Sequence, residues 1–126
     1  MAFNYLWSSP RLVAKPVHEA CLKTPEVAPM IKREIDTLES LKNFDILGIF
    51  NDGIPVGAFL FNGKEFHAAV LPEYRGKWMT KKFIKIMMDE KQKRGGLFTT
   101  LSKASEKVQL SVLHFCNRYK IEVRYV

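Results

Sequence analysis

The spacing of apolar positions changes several times along the 126-residue chain, and each change marks an element. Near the start, RLVAKP (11–16) reads as a short edge strand closed by Pro16, since proline ends strand pairing. PMIKREIDTLESLK (29–42) then repeats Ile31, Ile35, Leu38 and Leu41 at a helical period. Pro29 suits the first turn of that helix, where its missing N–H is no loss. A start with Thr24 as cap and Pro25 behind it is the other option, and would place Pro29 inside the helix.

The middle of the chain is β. FDILGIF (44–50), IPVGAFLF (54–61) and KEFHAAVL (64–71) are separated by Asn51-Asp52-Gly53 and by Asn62-Gly63. Such pairs between apolar runs predict tight hairpins, because these residues tolerate positive φ. Apolar residues crowd both faces of this meander, so helices are expected on both sides. KWMTKKFIKIMMDEKQKR (77–94) places Met79, Phe83, Ile86 and Met87 on one helical face and Lys81, Lys82, Lys85 and Lys93 largely elsewhere, with Gly95-Gly96 as the stop. LFTTL (97–101) reads as a short strand. ASEKVQLSVLHFCNRY (104–119) is helical, with Val108, Val112, Phe115, Cys116 and Tyr119 in register, and KIEVRYV (120–126) alternates as a final strand. The predicted order is (β)αβββαβαβ. This is an α+β domain over residues 1–126, with a central mixed, largely antiparallel sheet of about six strands.

Composition narrows the function. No apolar run approaches the ~20 residues that span a bilayer, and MAFNYLWSSPRLVAKP lacks the basic and apolar regions of a secretory leader. Cys21 and Cys116 are two and far apart, which suits a reduced, cytoplasmic protein better than the single disulfide they would also allow. Three histidines and two cysteines show no metal-ligand spacing, so no metal is expected. The net charge of +7 concentrates at Lys77 to Arg94 and at Arg118, Lys120 and Arg124. That suits an anionic partner, although a charged surface also serves solubility alone. Nucleic acid ranks last among anionic partners, for want of base-reading or stacking motifs.

AAVLPEYRGKWMTKKF (68–83) carries the sharpest signal: a β run ends in proline, arginine and glycine, and a basic amphipathic helix follows. This junction, in this strand order, resembles the GNAT superfamily of N-acetyltransferases, and the resemblance covers nearly the whole chain. The short motif with tryptophan after Arg75-Gly76-Lys77 looks most like the divergent GNAT-like proteins encoded by tailed phages. The resemblance implies acetyl-coenzyme A as co-substrate and an amine acceptor. It implies a pyrophosphate cradle over Arg75, Gly76, Lys77, Trp78, Met79 and Thr80, where backbone N–H groups and a helix dipole face the anion. Trp78 and Thr80 stand where the family carries small residues. Trp78 could swing outward and leave the N–H groups open, or cover them.

The resemblance also implies an oxyanion site at the backbone N–H groups near Val70 and Leu71. Glu65 and His67, two apart on one strand, share a face and form a candidate base. Each also has a plain reading, as a solvated carboxylate and a sheet histidine. The family commonly places an acidic tyrosine on the last helix, four residues before a Gly-Phe pair. Aligning Lys120-Ile121 with that pair puts Cys116 at the position and Tyr119 nearby, while His114 falls on the helix surface. Glu19, Glu26, Glu34 and Asp36 are carboxylates that could draw a cationic amine. A second reading keeps the fold without catalysis, as a virion component or a host-protein-binding module. The last strand offers an edge for a homodimer.

Overall fold

The computed structural model describes residues 2–23, 28–102, 106–107 and 109–126. The Thr24 cap, Glu26 and Val108 lie outside the described residues. One six-stranded sheet runs β1 (Phe3–Trp7), β2 (Asp45–Asn51), β3 (Ile54–Asn62), β4 (Glu65–Val70), β5 (Phe98–Leu101) and β6 (Glu122–Tyr125), in that spatial order. The first four strands pair antiparallel, and β4–β5 and β5–β6 pair parallel. The α+β class and the mixed sheet are as predicted, and the two hairpins fall at the expected turns. In the first, Asn51 pairs with Ile54 around Asp52 and Gly53, at φ 52° and 82°, the left-handed geometry that twists with the strands.

Helices α1 (Pro10–Cys21) and α2 (Glu34–Leu41) cover one face of the sheet; α3 (Lys81–Arg94) and α4 (Leu110–Arg118) cover the other. Residues opposite one another across β3 and β4 show the division. Ala58, Leu60 and Ala69 pack with Val13, Val17 and Leu41. Phe59, Phe66 and Val70 pack with Trp78, Phe83, Met87 and Phe115. The connections β4–α3–β5 and β5–α4–β6 join parallel neighbours in the same direction, and crossovers of one hand put both helices on one face.

Two sequence expectations are corrected. The segment 11–16 is not an edge strand but the first half of α1, and Pro16 lies inside that helix. Proline there forgoes a backbone bond and costs about 3 kcal/mol. Burying Val13 and Val17, at 0% and 1% exposure, returns roughly 1.5–3 kcal/mol each, so packing outweighs the break. The first strand is instead FNYLW, at Phe3–Trp7. The second correction is to α2, which begins at Glu34 rather than Pro29. The Asp36 carboxylate accepts from the Arg33 backbone N–H at 3.0 Å and its guanidinium at 3.1 Å, and this fixes the helix start.

The last two helices begin later than predicted. α3 starts at Lys81, capped by Thr80, and α4 at Leu110. α4 ends in a Schellman turn: the Ile121 N–H reaches the Cys116 carbonyl at 2.8 Å, with Lys120 left-handed at φ 56°. Among the described residues no helix is long and apolar enough to cross a membrane, and no group of three or more His, Cys, Asp or Glu could hold a metal.

Candidate functional site

The site follows from how β4 meets β5. These strands share a single paired position, Glu65 with Phe98, and beyond it they part. Side chains then take up carbonyls that a neighbouring strand would otherwise pair. Thr99 Oγ1 donates to the Phe66 carbonyl at 2.7 Å, and the Gln109 amide to the Ala68 carbonyl at 3.5 Å. The opening holds a cavity of about 240 Å³, walled by β4, β5, the start of α4 and, from the other face, Cys21 and Phe44. A narrow cavity of about 30 Å³, lined by Val70, Arg75 and Trp78, shares Ala68, Ala69, Gln109 and Val112 with it. Ser111 links that one to a third, of about 270 Å³, beside Gly76, Met79 and Tyr119. A seam of hollows thus runs along β4 and α4.

Glu65 and His67 meet at the wide end of the seam. His67 Nε2 lies 2.7 Å from Glu65 Oε2, Thr100 Oγ1 donates to the same oxygen at 3.3 Å, and His67 lines the 240 Å³ cavity. Phe44 stands edge-on to the imidazole, with ring centroids 6.4 Å apart. With Nε2 donating to the carboxylate, Nδ1 is left as the proton acceptor. Thr100 and Gln109 were not singled out from sequence. Thr100 was legible as the neighbour of Glu65 only once β5 was known to pair beside β4, and no sequence signal marks Gln109.

The junction after β4 is built of turns. Pro72–Tyr74 is a single 3₁₀ turn, and the Lys77 N–H bonds the Tyr74 carbonyl at 3.0 Å. Arg75 at φ −59°, ψ 133° followed by Gly76 at φ 78° makes this second turn type II, which demands a residue free to go left-handed at Gly76. A Cβ on Gly76 would also sit 3.5 Å from Ser111 Oγ. Trp78 neither swings outward nor covers the loop. It is 2% exposed and packs in the core, edge-on to Phe83 with centroids 4.7 Å apart.

Thr80 turns inward too. Its Oγ1 accepts the Phe83 N–H at 3.4 Å and meets the Tyr5 hydroxyl at 2.8 Å, and the same hydroxyl donates to the Trp78 carbonyl. The turn bonds use the N–H groups of Tyr74, Arg75, Lys77 and Thr80, and α3 uses those of Phe83 and Ile84. Those of Gly76, Met79, Lys81 and Lys82 enter none of these bonds. Among the described residues no ion pair engages Arg75, Lys77 or Lys81. The loop therefore presents open donors and uncommitted positive charge, while its two bulky side chains anchor it from within.

Three candidate residues stand elsewhere than expected. The Leu71 N–H is taken by the Val56 carbonyl at 3.0 Å, so it offers nothing to an oxyanion. That bond makes 56 and 71 a hydrogen-bonded pair, and the alternation of an antiparallel ladder then turns the Val70 N–H away from β3, toward the opening. Cys116 is fully buried in the core between α3 and α4, and burial pushes its thiol up to about 12. Such a thiol is a poor proton donor to a thiolate whose own thiol ionises near pH ~8.5. Tyr119 lines the hollow at the loop end, with Arg118 5.7 Å over its ring, rather than the cavity of His67.

No protein-family model and no curated protein matches the sequence. Solved structures match the fold. A GCN5-related N-acetyltransferase from Rhodopseudomonas palustris superposes at TM-score 0.62 and 17% identity, over 93% of this chain and 79% of that one. A ribosomal-protein-alanine N-acetyltransferase from Brucella melitensis biovar Abortus 2308 gives 0.57 at 21% identity, over 86% of each chain. The chain has the GNAT fold. A PaiA N-acetyltransferase from Thermoplasma acidophilum, in complex with coenzyme A, gives 0.51 at 16% identity over 75% of each chain. At these identities the likeness is one of fold. Within the GNAT fold of this chain, the parted β4 and β5, the turn at Gly76 and the start of α3 lie along one continuous seam.

Proposed function

We propose that the protein is an N-acyltransferase that moves an acetyl group from acetyl-coenzyme A to an amine. The observation that carries this reading is the Glu65–His67 pair, closed at 2.7 Å, on the cavity of the β4–β5 opening at one end of the seam. The residues at the other end fit a pyrophosphate. Gly76 gives close backbone approach, the N–H groups of Gly76, Met79, Lys81 and Lys82 are open donors at a helix start, and Arg75, Lys77 and Lys81 supply charge. The PaiA neighbour, solved with coenzyme A, supports a donor of this class.

The donor supplies an activated thioester carbonyl. His67 accepts a proton from the incoming ammonium, so that a neutral amine nitrogen forms the new C–N bond as the C–S bond breaks. Glu65 holds the imidazole in the tautomer that accepts, and bears the charge that results. The Val70 N–H, turned toward the opening, would serve as the backbone donor to the carbonyl oxygen. The thiolate leaves without a strong side-chain acid and takes its proton from solvent. The products are an amide, a free thiol and one proton.

Release of free thiol from acetyl-coenzyme A, followed across a panel of amines, tests the reading. Replacing His67 by Gln should lower kcat/KM about 10²- to 10⁴-fold, the usual worth of a general base. Glu65→Gln should lower it less and change its pH profile. Variants within twofold of the wild type would refute the assignment of the base.

A further inference from the structure

The cavity beside His67 also constrains the amine it would serve. Resting on the transferase reading, we infer that the acceptor is a monoamine on a small apolar body, alkyl or aryl, and not a polycation. Every wall contributes apolar side chains: Ile31 and Phe44 from the α1–α2 face, Leu60 from β3, Leu101 from β5, and Val112 and Leu113 at α4. Among the described residues that line it there is no carboxylate. Its polar side chains are neutral: Thr99 and Gln109 donate to carbonyls of β4 and Thr100 donates to Glu65, which leaves uncharged oxygens and no counter-charge.

The Glu65–His67 pair can therefore accept one proton, and a second ammonium on the same molecule would be buried without a counter-charge. Of the acceptor-side carboxylates suggested by the sequence, the three among the described residues do not relieve this. Asp36 is spent on Arg33, Glu34 lines a separate groove with Arg11, and Glu19 is exposed on α1. The net charge of +7 adds long-range repulsion of any polycation. At about 30 Å³ per water-sized volume, 240 Å³ takes roughly eight non-hydrogen atoms. That is the size of a short alkylamine.

Pentylamine and 1,5-diaminopentane share a five-carbon body and differ by one terminal ammonium. Each is titrated into the full chain at pH 8.5, with and without coenzyme A, and binding is read by calorimetry. Pentylamine should bind at least about tenfold tighter, and affinity should rise about fourfold per methylene from propylamine, at ~0.8 kcal/mol per buried CH₂ and 1.4 kcal/mol per tenfold. Ser40→Asp, which puts a carboxylate in the wall, should narrow or reverse the preference. The inference falls if the diamine binds as well, if chain length has no effect, or if pentylamine does not bind. Because binding is read without turnover, the outcomes separate: pentylamine binding without coenzyme A binding sinks the transferase reading and leaves only the preference of the cavity for a monoamine. Thiol release with the diamine only would sink this inference alone.

Discussion

Trp78 is where the account departs most from what the motif suggests, and its removal is the sharpest structural test. If the indole covered an old pyrophosphate site, Trp78→Gly would restore a family-like loop at little cost. The structure places the ring in the core, 2% exposed, against Phe59 and Phe83 at 6.1 and 4.7 Å. Truncating a buried Trp costs about 3–5 kcal/mol through lost transfer energy and the cavity left behind. A domain's whole stability is about 5–15 kcal/mol. At ~2.1 cal/mol/K per residue, the unfolding entropy of 126 residues is about 0.26 kcal/mol/K, so Tm should fall by roughly 11–19 °C. Thermal and urea unfolding followed by near-UV circular dichroism would read this. Tryptophan emission gives a second check. The other tryptophan, Trp7, is 51% exposed, so the blue-shifted emission should vanish with Trp78. A Tm loss under about 3 °C, with coenzyme A binding strengthened in Trp78→Gly, would refute the inward placement and make the indole a lid.

Lys120 holds a left-handed position in the turn after α4, at φ 56°, where glycine pays no Cβ penalty. Lys120→Gly should raise stability by about 1 kcal/mol, near 4 °C in Tm, and a loss of stability would contradict the turn. The buried Cys116 thiol is pushed up to about 12 from an ordinary value near 9. Its neutral form stabilises the fold fully below about pH 9, and that contribution is lost as pH rises toward 12. Between pH 9 and 10.5, stability of the wild type should fall more steeply than that of Cys116→Ala, the excess slope rising from about 0.7 toward about 1.4 kcal/mol per pH unit; equal slopes would contradict the burial.

How far the sequence could be read depended on whether a local pattern or a tertiary contact decided the outcome. The meander was legible because its turns are local: Asp52-Gly53 and Gly63 demand positive φ wherever they sit. The junction at Gly76 was legible for the same reason. α1 was misread because Pro16 outweighed the spacing of Val13, Val17 and Ala20, which packs against the sheet. Trp78 was undecidable, since helical spacing does not say which way a loop side chain turns before α3 begins. Leu71 was lost as a donor to the ladder register with Val56, and Cys116 as an acid to its depth, and neither is written in residue order. Glu65 and His67 came together because alternation along a strand is a local rule.

The central claim is that the loop from Arg75 to Thr80 is a working cradle although two of its positions carry large side chains. Calorimetric titration of acetyl-coenzyme A and coenzyme A into the purified protein tests it most directly. Binding in the micromolar range is predicted, weakened about 10- to 100-fold in Arg75→Ala, as expected for losing a charged hydrogen bond of ~1.5–3 kcal/mol. A folded protein that gives no heat at millimolar ligand would contradict the claim, and would leave a GNAT fold whose work is to bind something else.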